Sequence, residues 1–308
     1  MPRPSLLLRA LPAALLLALN TLLWCWPLFA LALLRLLPGA RLQRGLRHAM
    51  SGIVRAWIAG NDLWMRQLCG CRPQVEGLDR LRLQGSCLVI SNHQSWVDIL
   101  VLQGLLDRRL PMLRFFLKRE LIWLPVIGLC CRALDFPFMQ RHSRAYLERH
   151  PEKRGTDLAT TRRACARLRG VPVAIFNFVE GTRFTPAKHL DQQSPYRHLL
   201  RPRAGGIALA LDAMGEQLQG LVDITLHYPD GRPSFLDLLA GRVRRVQVLV
   251  EERRIPDEFL GRDYRLDEDY RLAFRHWLNA LWAAKDAHLD ALQAAAQTSA
   301  APPIRSAD

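Results

Sequence analysis

Residues 171–179 read VPVAIFNFV, and this almost uninterrupted apolar run decides the fold class. Such a composition is typical of a strand that is covered on both faces, as in parallel sheets with helices on either side. Extended and helical patterns alternate along the chain, with further strands indicated at Cys87–Ser91, Leu221–Tyr228 and Val243–Val250. We therefore predict an α/β domain on a mixed, largely parallel sheet flanked by helices.

Helical patterns lie between and after these strands. Within the domain they fall at Trp96–Leu106, Thr156–Arg169 and Gly206–Leu218. From Leu266 onward, apolar residues recur at helical intervals, which predicts a long amphipathic C-terminal helix.

The N-terminal region has a different character. Ala10–Leu34 contains no charged residue, and as a helix it would span about 37 Å, more than the roughly 30 Å of a bilayer core. The apolar run is longer than that of a signal peptide, the competing interpretation, so we predict a membrane segment. Because Pro12, Asn20 and Pro27 interrupt it, a single crossing and a helical hairpin within one leaflet both remain open.

Charge indicates the partner and the orientation. Lys and Arg number 43 against 28 Asp and Glu, giving a net charge of +15, which favours a nucleic acid or an anionic membrane surface as partner. The apolar segment favours the membrane, and we expect no nucleic-acid partner. Two arginines precede that segment and five follow it closely, which predicts a cytoplasmic domain: Arg35, Arg41, Arg44, Arg47 and Arg55.

These patterns divide the chain into four parts. We predict a membrane anchor at 1–38, an interfacial helix at 39–74, a catalytic domain at 75–297 that includes the C-terminal helix, and a disordered tail at 298–308. The seven cysteines are odd in number and lack repeated CxxC spacing, so we expect neither a disulfide framework nor a zinc site.

A candidate catalytic pair follows the strand Cys87–Ser91. Residues 92–98 read NHQSWVD and place His93 and Asp98 where a strand ends and a helix begins. The carboxylate can hold one tautomer of the imidazole, which leaves the other ring nitrogen to act as a general base. Since no GxSxG motif is present, the base is expected to act on a substrate hydroxyl; a purely structural strand-end pair is the alternative.

A second cluster follows the buried strand at 171–179. Residues 178–183 read FVEGTR, in which Gly181 permits close backbone approach, Thr182 offers a hydroxyl, and Arg183 offers a planar fork suited to phosphate. This pattern favours an anion-binding site, although a turn with a solvated arginine has the same appearance. Lys118 and Arg141 flank a third block, LKRELIWLPVIGLCCRALDFPFMQR, which taken alone is core with two surface cations.

In this order and separation, NHQSWVD and FVEGTR resemble the glycerolipid acyltransferase family, specifically the membrane-bound bacterial 1-acyl-sn-glycerol-3-phosphate (lysophosphatidic acid) acyltransferases. The resemblance extends from about Val75 to Val250. It implies that His93 is the base and Asp98 its orienting partner. It also assigns a set of residues to the acceptor phosphate: Glu180, Gly181, Thr182, Arg183, Lys118 and Arg141.

The resemblance also implies the reaction and its surroundings. The acceptor would be the sn-2 hydroxyl of 1-acyl-glycerol 3-phosphate, the product phosphatidic acid, and the co-substrate acyl-CoA or acyl carrier protein, with no cofactor or metal. The enzyme would sit in the bacterial inner membrane, among membrane lipids, with its catalytic domain in the cytoplasm. Alternatives are the same chemistry on another lysophospholipid or on glycerol 3-phosphate and, more remotely, a non-catalytic polybasic membrane adaptor.

Overall fold

The computed structural model describes most of the chain. The described residues are 4–115, 117–118, 122–123, 126–136, 138–139, 149, 171–262, 264 and 267–300. The helix predicted at Thr156–Arg169 and residue Arg141 lie outside them. The helices are α1 Pro4–Leu34, α2 Ala40–Gln67, α3 Val97–Leu106, α4 Ile127–Ala133, α5 Pro186–Asp191, α6 Ala204–Met214, α7 Phe235–Leu239 and α8 Glu268–Ala300. The strands are β1 Arg72–Glu76, β2 Cys87–Ser91, β3 Leu113–Phe115, β4 Leu117–Lys118, β5 Phe138–Met139, β6 Ala174–Phe178, β7 Leu221–His227 and β8 Arg245–Arg253.

Six strands form the main sheet, in the order β1-β8-β7-β2-β6-β3. Every neighbouring pair is parallel except β7 with β8, which is antiparallel. The prediction of a mixed, largely parallel sheet flanked by helices is therefore confirmed. The remaining strands, β4 and β5, pair in a separate two-stranded parallel sheet.

The central strand β2 divides two hydrophobic cores, and all five of its residues are buried. Cys87 and Val89 point to the core that includes residues of α2 and α3, whereas Leu88 and Ile90 point to the core that includes residues of α6 and α8. Successive side chains of a strand face opposite sides, so a strand between two cores has no polar side. This explains why β2 and β6 lack the alternation of a half-exposed strand.

Helix α8 covers one face of the sheet and buries a charge there. Trp282 is fully buried and donates its indole N–H to Leu200 O at 3.0 Å. Lys285 Nζ donates to Asp223 Oδ1 and to Ile224 O, both at 2.7 Å. A buried ammonium requires such partners, so this ion pair fixes the register of α8 against β7.

Helices α1 and α2 form an antiparallel pair. Asn20 Nδ2 donates to Trp57 O at 3.0 Å and to Asn61 Oδ1 at 2.8 Å, and Trp64 Nε1 donates to Ala13 O at 2.9 Å. Asn20, which comes later in α1 than Ala13, contacts residues that come earlier in α2 than Trp64, and this order shows that the two helices are antiparallel. Helix α1 stays continuous through Pro12, Asn20 and Pro27, so residues 10–34 do not themselves turn back as a helical hairpin, which is one of the two expectations for this segment.

Much of α1 is uncovered. Residues 6–34 of α1 are long and apolar enough to cross a membrane. Only 11% of the most apolar stretch of this helix is buried. Its exposed large side chains include Leu8, Leu11, Leu23 and Trp26. The face of α1 away from α2 therefore presents an exposed apolar surface, of the kind that marks contact sites with membranes or other proteins.

The structure adds elements at the domain borders. The strand β1 begins at Arg72, three residues before the predicted start of the domain, and α5 and α7 are short helices that the sequence patterns did not indicate. The last helix reaches Ala300, within the predicted tail, and residues 301–308 lie outside the described part of the chain.

Candidate active site

The candidate catalytic residues gather at one edge of the main sheet. The strands β2, β6 and β7 run parallel to one another, so their carboxyl ends meet at this edge. The segments that leave them are 92–98, 179–183 and 228–232. This is the position at which sites form in open α/β sheets.

His93 and Asp98 are in direct contact. The Nδ1 of His93 lies 2.8 Å from Oδ2 of Asp98, whose side chain is fully buried. The same oxygen accepts the backbone N–H groups of Gln94 at 2.6 Å and Ser95 at 2.9 Å, and Oδ1 accepts the hydroxyl of Tyr228 at 2.6 Å. A carboxylate only accepts hydrogen bonds, so Nδ1 is the donor and the neutral imidazole carries its lone pair on Nε2.

The imidazole is held from several sides. Its ring stacks on that of Phe178, with the centroids 3.8 Å apart and the planes inclined by 12°. The backbone N–H of His93 donates to Glu180 Oε2 at 3.2 Å, and its carbonyl accepts the N–H of Phe184 at 2.8 Å. The loop after β2 is thus bound to the segment after β6, and the orientation of the ring is preset.

Two neighbours of His93 have structural roles. The Asn92 side-chain amide donates to Leu226 O at 2.9 Å and accepts from Leu226 N at 2.8 Å, which ties the end of β2 to β7. The Ser95 hydroxyl donates to Pro233 O at 2.6 Å and accepts from Val97 N at 3.1 Å. Because its hydroxyl is engaged in this way just before α3, Ser95 has a structural role.

The segment Glu180–Arg183 makes a tight turn. Gly181 has a φ of 69°, and its N–H donates to Phe178 O at 2.9 Å. This left-handed conformation favours glycine. Thr182 Oγ1 accepts from Lys188 Nζ at 2.7 Å, and the guanidinium of Arg183 lies over the Trp96 ring, 4.7 Å from its centroid. Arg183 is exposed and is supported by an aromatic ring beside the loop that carries His93.

Glu180 is fully buried beneath that turn. Its two oxygens accept the backbone N–H groups of His93 and Leu200, each at 3.2 Å. Burial raises the pKa of the Glu180 carboxyl to about 8, and the nearby charge of Asp98 acts in the same direction, against the two hydrogen bonds. Glu180 therefore holds the backbone at His93 and Leu200 in the interior, whereas Arg183 lies on the exposed surface of the site.

Two residues of the site were missed by the sequence analysis. They are Tyr228, which donates to Asp98, and Arg232, whose Nε donates to Gln94 Oε1 and whose guanidinium lies 3.7 Å from the Phe184 ring centroid. Burial raises the pKa of Tyr228 well above 10, so its phenol remains a donor. Both follow β7, and the prediction that a strand ends at Tyr228 was the signal that could have identified them.

The other two residues predicted to bind the acceptor phosphate are Lys118 and Arg141. Lys118 is the second residue of β4, in the small sheet, and Arg141 lies outside the described residues. Their assignment to an acceptor phosphate remains a prediction.

In the described part of the chain, no three His, Cys, Asp or Glu side chains converge as they would around a metal ion.

A family model described as Acyltransferase matches residues 72–228. The mouse and human proteins named 1-acyl-sn-glycerol-3-phosphate acyltransferase delta are each 28% identical over 215 residues, covering 66% of this chain and 52% of theirs. The mouse gamma protein is 29% identical over 213 residues, covering 65% of this chain and 51% of its own. This chain thus spans about half the length of the curated relatives it matches.

A solved structure is similar over nearly the whole fold. It is the crystal structure of the 1-acyl-sn-glycerophosphate (LPA) acyltransferase PlsC from Thermotoga maritima, with a TM-score of 0.51 and 17% sequence identity. The match covers 90% of this chain and 98% of that one. At this identity the likeness establishes a common fold.

We predict that Glu180→Gln changes how stability depends on pH. The native carboxyl has a pKa of about 8, against an ordinary 4.5, so between these values the unfolded chain releases a proton that the native protein keeps. Stability from this group is complete below pH 4.5 and is lost as pH rises through 8. The difference in unfolding free energy between the wild type and Glu180→Gln should therefore shift by a few kcal/mol between pH 5 and pH 8.

The measurement is denaturant unfolding of the full chain in detergent at several pH values. Glu258→Gln is the control, because it removes an exposed carboxylate from a short turn. A wild-type profile parallel to that of Glu180→Gln would contradict the raised pKa.

Proposed function

Because this chain belongs to the glycerolipid acyltransferase family, we propose that it moves a fatty acyl group from a thioester to the sn-2 hydroxyl of 1-acyl-glycerol 3-phosphate, making phosphatidic acid. The contact between His93 and Asp98, with Nε2 of the ring left free to accept a proton, carries the proposal. The delta and gamma relatives are named for this acceptor, which supports its choice here.

The proposed mechanism needs one general base. Nε2 of His93 takes the proton of the acceptor hydroxyl as its oxygen attacks the thioester carbonyl, and the buried Asp98 carboxylate stabilises the imidazolium that forms. The tetrahedral intermediate then collapses, the C–S bond breaks, and the imidazolium returns the proton to the leaving thiolate. The thioester is already activated, so the chain supplies position, proton transfer and charge stabilisation.

Arg183 is our choice for the acceptor phosphate. Its guanidinium is exposed, whereas Glu180 is buried and Thr182 is engaged by Lys188. The hydrogen bond from Phe184 N to His93 O joins the residue after Arg183 to the base. A phosphate held by Arg183 would therefore bring a hydroxyl of the same molecule toward His93.

We further propose that α1 lies in the cytoplasmic leaflet of a bacterial inner membrane, as one arm of the hairpin that it forms with α2. If α1 crossed the bilayer, α2 would follow it into the hydrocarbon along with Arg47, Arg55 and Asp62, because the two helices pack side by side. Each charge at the bilayer centre costs about 2.5–3.5 kcal/mol or more. The hairpin instead gives α1 its lipid contact while the arginines of α2 stay near headgroups.

We predict that His93→Ala lowers acyl transfer from oleoyl-CoA to 1-acyl-glycerol 3-phosphate by roughly 10²- to 10⁴-fold, the usual contribution of a positioned base. The assay uses purified wild type and variant, with unfolding temperatures compared to show that the fold is retained. His276→Ala, an exposed histidine of α8, is the control. Undiminished turnover in His93→Ala would exclude His93 as the general base of the reaction.

The same assay separates the alternatives. Wild-type activity that appears only with glycerol 3-phosphate or with a lysophospholipid of larger headgroup would replace the acceptor and keep the mechanism. Acyl carrier protein is tested as donor in parallel with the CoA thioester. A wild type that is inactive with every donor and acceptor would favour the membrane adaptor.

Arg183→Ala is expected to raise KM for 1-acyl-glycerol 3-phosphate by roughly 10- to 100-fold with a smaller change in kcat. Charged hydrogen bonds to phosphate contribute about 1.5–3 kcal/mol to binding, and removal of a contact present in both ground and transition states appears in KM. Steady-state kinetics across acceptor concentration measure this, with Arg254→Ala as an exposed control. An unchanged KM would exclude Arg183 from the phosphate site.

For the hairpin, we expect epitope tags at the two ends of the chain to lie on the same side of the membrane. Protease added to inside-out inner-membrane vesicles should remove both tags, because their surface is the cytoplasmic face. A single crossing would leave the N-terminal tag protected until detergent is added.

A further inference from the structure

A cavity of about 430 Å³ lies at the opposite edge of the sheet from His93. Its lining includes the residues that lead into three parallel strands: Gln84 before β2, Met112 before β3 and Pro172 before β6. The segments that surround His93 leave the other ends of β2 and β6. Strands of five residues are about 17 Å long, so the two sites are separate.

Every charged side chain among the described lining residues is a cation. These are Arg55, Arg108, Arg109 and Arg114, and His48 is also in the lining. Two carboxylates of the described residues lie near these cations. The oxygens of Asp107 are 3.9 Å from Arg55 Nε and 3.7 Å from Arg108 Nε, and the charge of Asp135, which is paired with Arg35, acts on Arg114. These two acids do not balance the four guanidinium groups of the lining, so the described residues give the cavity a positive potential.

Arg114 is the most informative of these cations. It is only 7% exposed, and its buried Nε has no hydrogen-bond acceptor among the described residues. Burial lowers the pKa of its guanidinium; Asp135 opposes this shift, and Arg35 and Arg47 add to it. A buried N–H without an acceptor costs free energy, and native proteins rarely leave one without a reason.

We propose that this cavity binds a phosphoryl anion, with Arg114 and Arg109 as its principal donors. Guanidinium groups present paired N–H donors that match phosphate oxygens, and a bound anion would compensate the buried charge of Arg114. The anion can be the headgroup phosphate of an anionic phospholipid or that of a soluble phosphate ester. The volume accommodates a group of this size together with part of the molecule that carries it.

The cavity also connects two parts of the fold. Helix α2 supplies His48, Ser51, Gly52 and Arg55, whereas Arg114 belongs to β3 in the main sheet. A ligand held between them would fasten the α1–α2 hairpin to the catalytic domain. Occupancy of this site would thus stabilise the folded chain without contact with His93.

A simpler role accounts for only some of these arginines. Arg108 and Arg109 follow the C-terminus of α3, where a cation interacts favourably with the helix dipole. Arg114 lies on a strand and is buried, so that explanation does not reach it. The orphaned Nε is therefore the observation that separates an anion site from a solvated helix end.

The test is thermal unfolding of the full chain in detergent, with inorganic phosphate or with sodium chloride of equal ionic strength. We compare the wild type with Arg109→Gln, Arg114→Met and the exposed control Arg244→Ala. Phosphate should raise the unfolding midpoint of the wild type and of the control saturably, by a few degrees. Arg109→Gln and Arg114→Met should lose that increment.

A second arm identifies the source of the phosphate. The four proteins are placed in phosphatidylcholine nanodiscs with or without phosphatidylglycerol, an anionic lipid that is not the proposed acceptor. Stabilisation by phosphatidylglycerol that is confined to the wild type and the control assigns the site to a lipid headgroup. Stabilisation by inorganic phosphate alone assigns it to a soluble ester.

Arg114→Met provides a further check. In phosphate-free buffer it should unfold no earlier than the wild type, because an apolar side chain replaces a buried cation whose Nε has no acceptor among the described residues. If it does not fold, Arg109→Gln, which changes an exposed residue, decides the outcome. Equal stabilisation of all four proteins, or no response of the wild type in either arm, would overturn the proposal.

Discussion

The buried carboxylate of Asp98 is the constraint on which the candidate site depends. A charge without solvent contact needs donors, and Asp98 receives four: the backbone N–H groups of Gln94 and Ser95, the His93 ring, and the Tyr228 hydroxyl. These donors come from the loop after β2 and the residue after β7. The carboxylate can be buried only if both strands end at the same edge, so the order of the sheet and the tautomer of His93 are specified together.

The rest of the fold holds those strand ends in place. The side-chain amide of Asn92 hydrogen-bonds both the N–H and the carbonyl of Leu226, as a neighbouring strand would. Lys285 of α8 binds the carboxylate of Asp223 and the carbonyl of Ile224 in β7. The central strands are thus fixed from within the sheet and from its helical face. Buried polar contacts of this kind have few alternatives in an apolar interior, so they specify one register where hydrophobic packing alone would allow neighbouring ones.

The sequence predicts those parts of the molecule that local patterns specify. Apolar runs located β2 and β6, and helical spacing located α3, α6 and α8, because burial on both faces and amphipathic periodicity leave direct traces. The family predicted from NHQSWVD and FVEGTR is confirmed by the family model that matches residues 72–228, whereas the bacterial membrane-bound subgroup stays a prediction. Tyr228 and Arg232 could not be found in this way: they lie more than a hundred residues from Asp98, and only the pairing of β7 with β2 brings them near. Likewise Asn20 marked a polar position in an apolar helix, but its partner Asn61 required the packing of α1 on α2.

Glu180 and Asp98 together explain how two carboxyl groups coexist beside one imidazole. Asp98 holds the ring, whereas Glu180 holds the backbone N–H of the same residue. Both carboxyl groups are fully buried, and the charge of Asp98 adds to burial in raising the pKa of Glu180. Glu180 has two backbone donors against the four of Asp98, and burial raises its pKa to about 8, so below that pH Glu180 is neutral. In the proposed mechanism, the imidazolium that forms when His93 accepts a proton has the carboxylate of Asp98 at Nδ1. A neutral Glu180 holds the backbone of His93 without competing for that charge, so a buried acid is compatible with a base that becomes a cation.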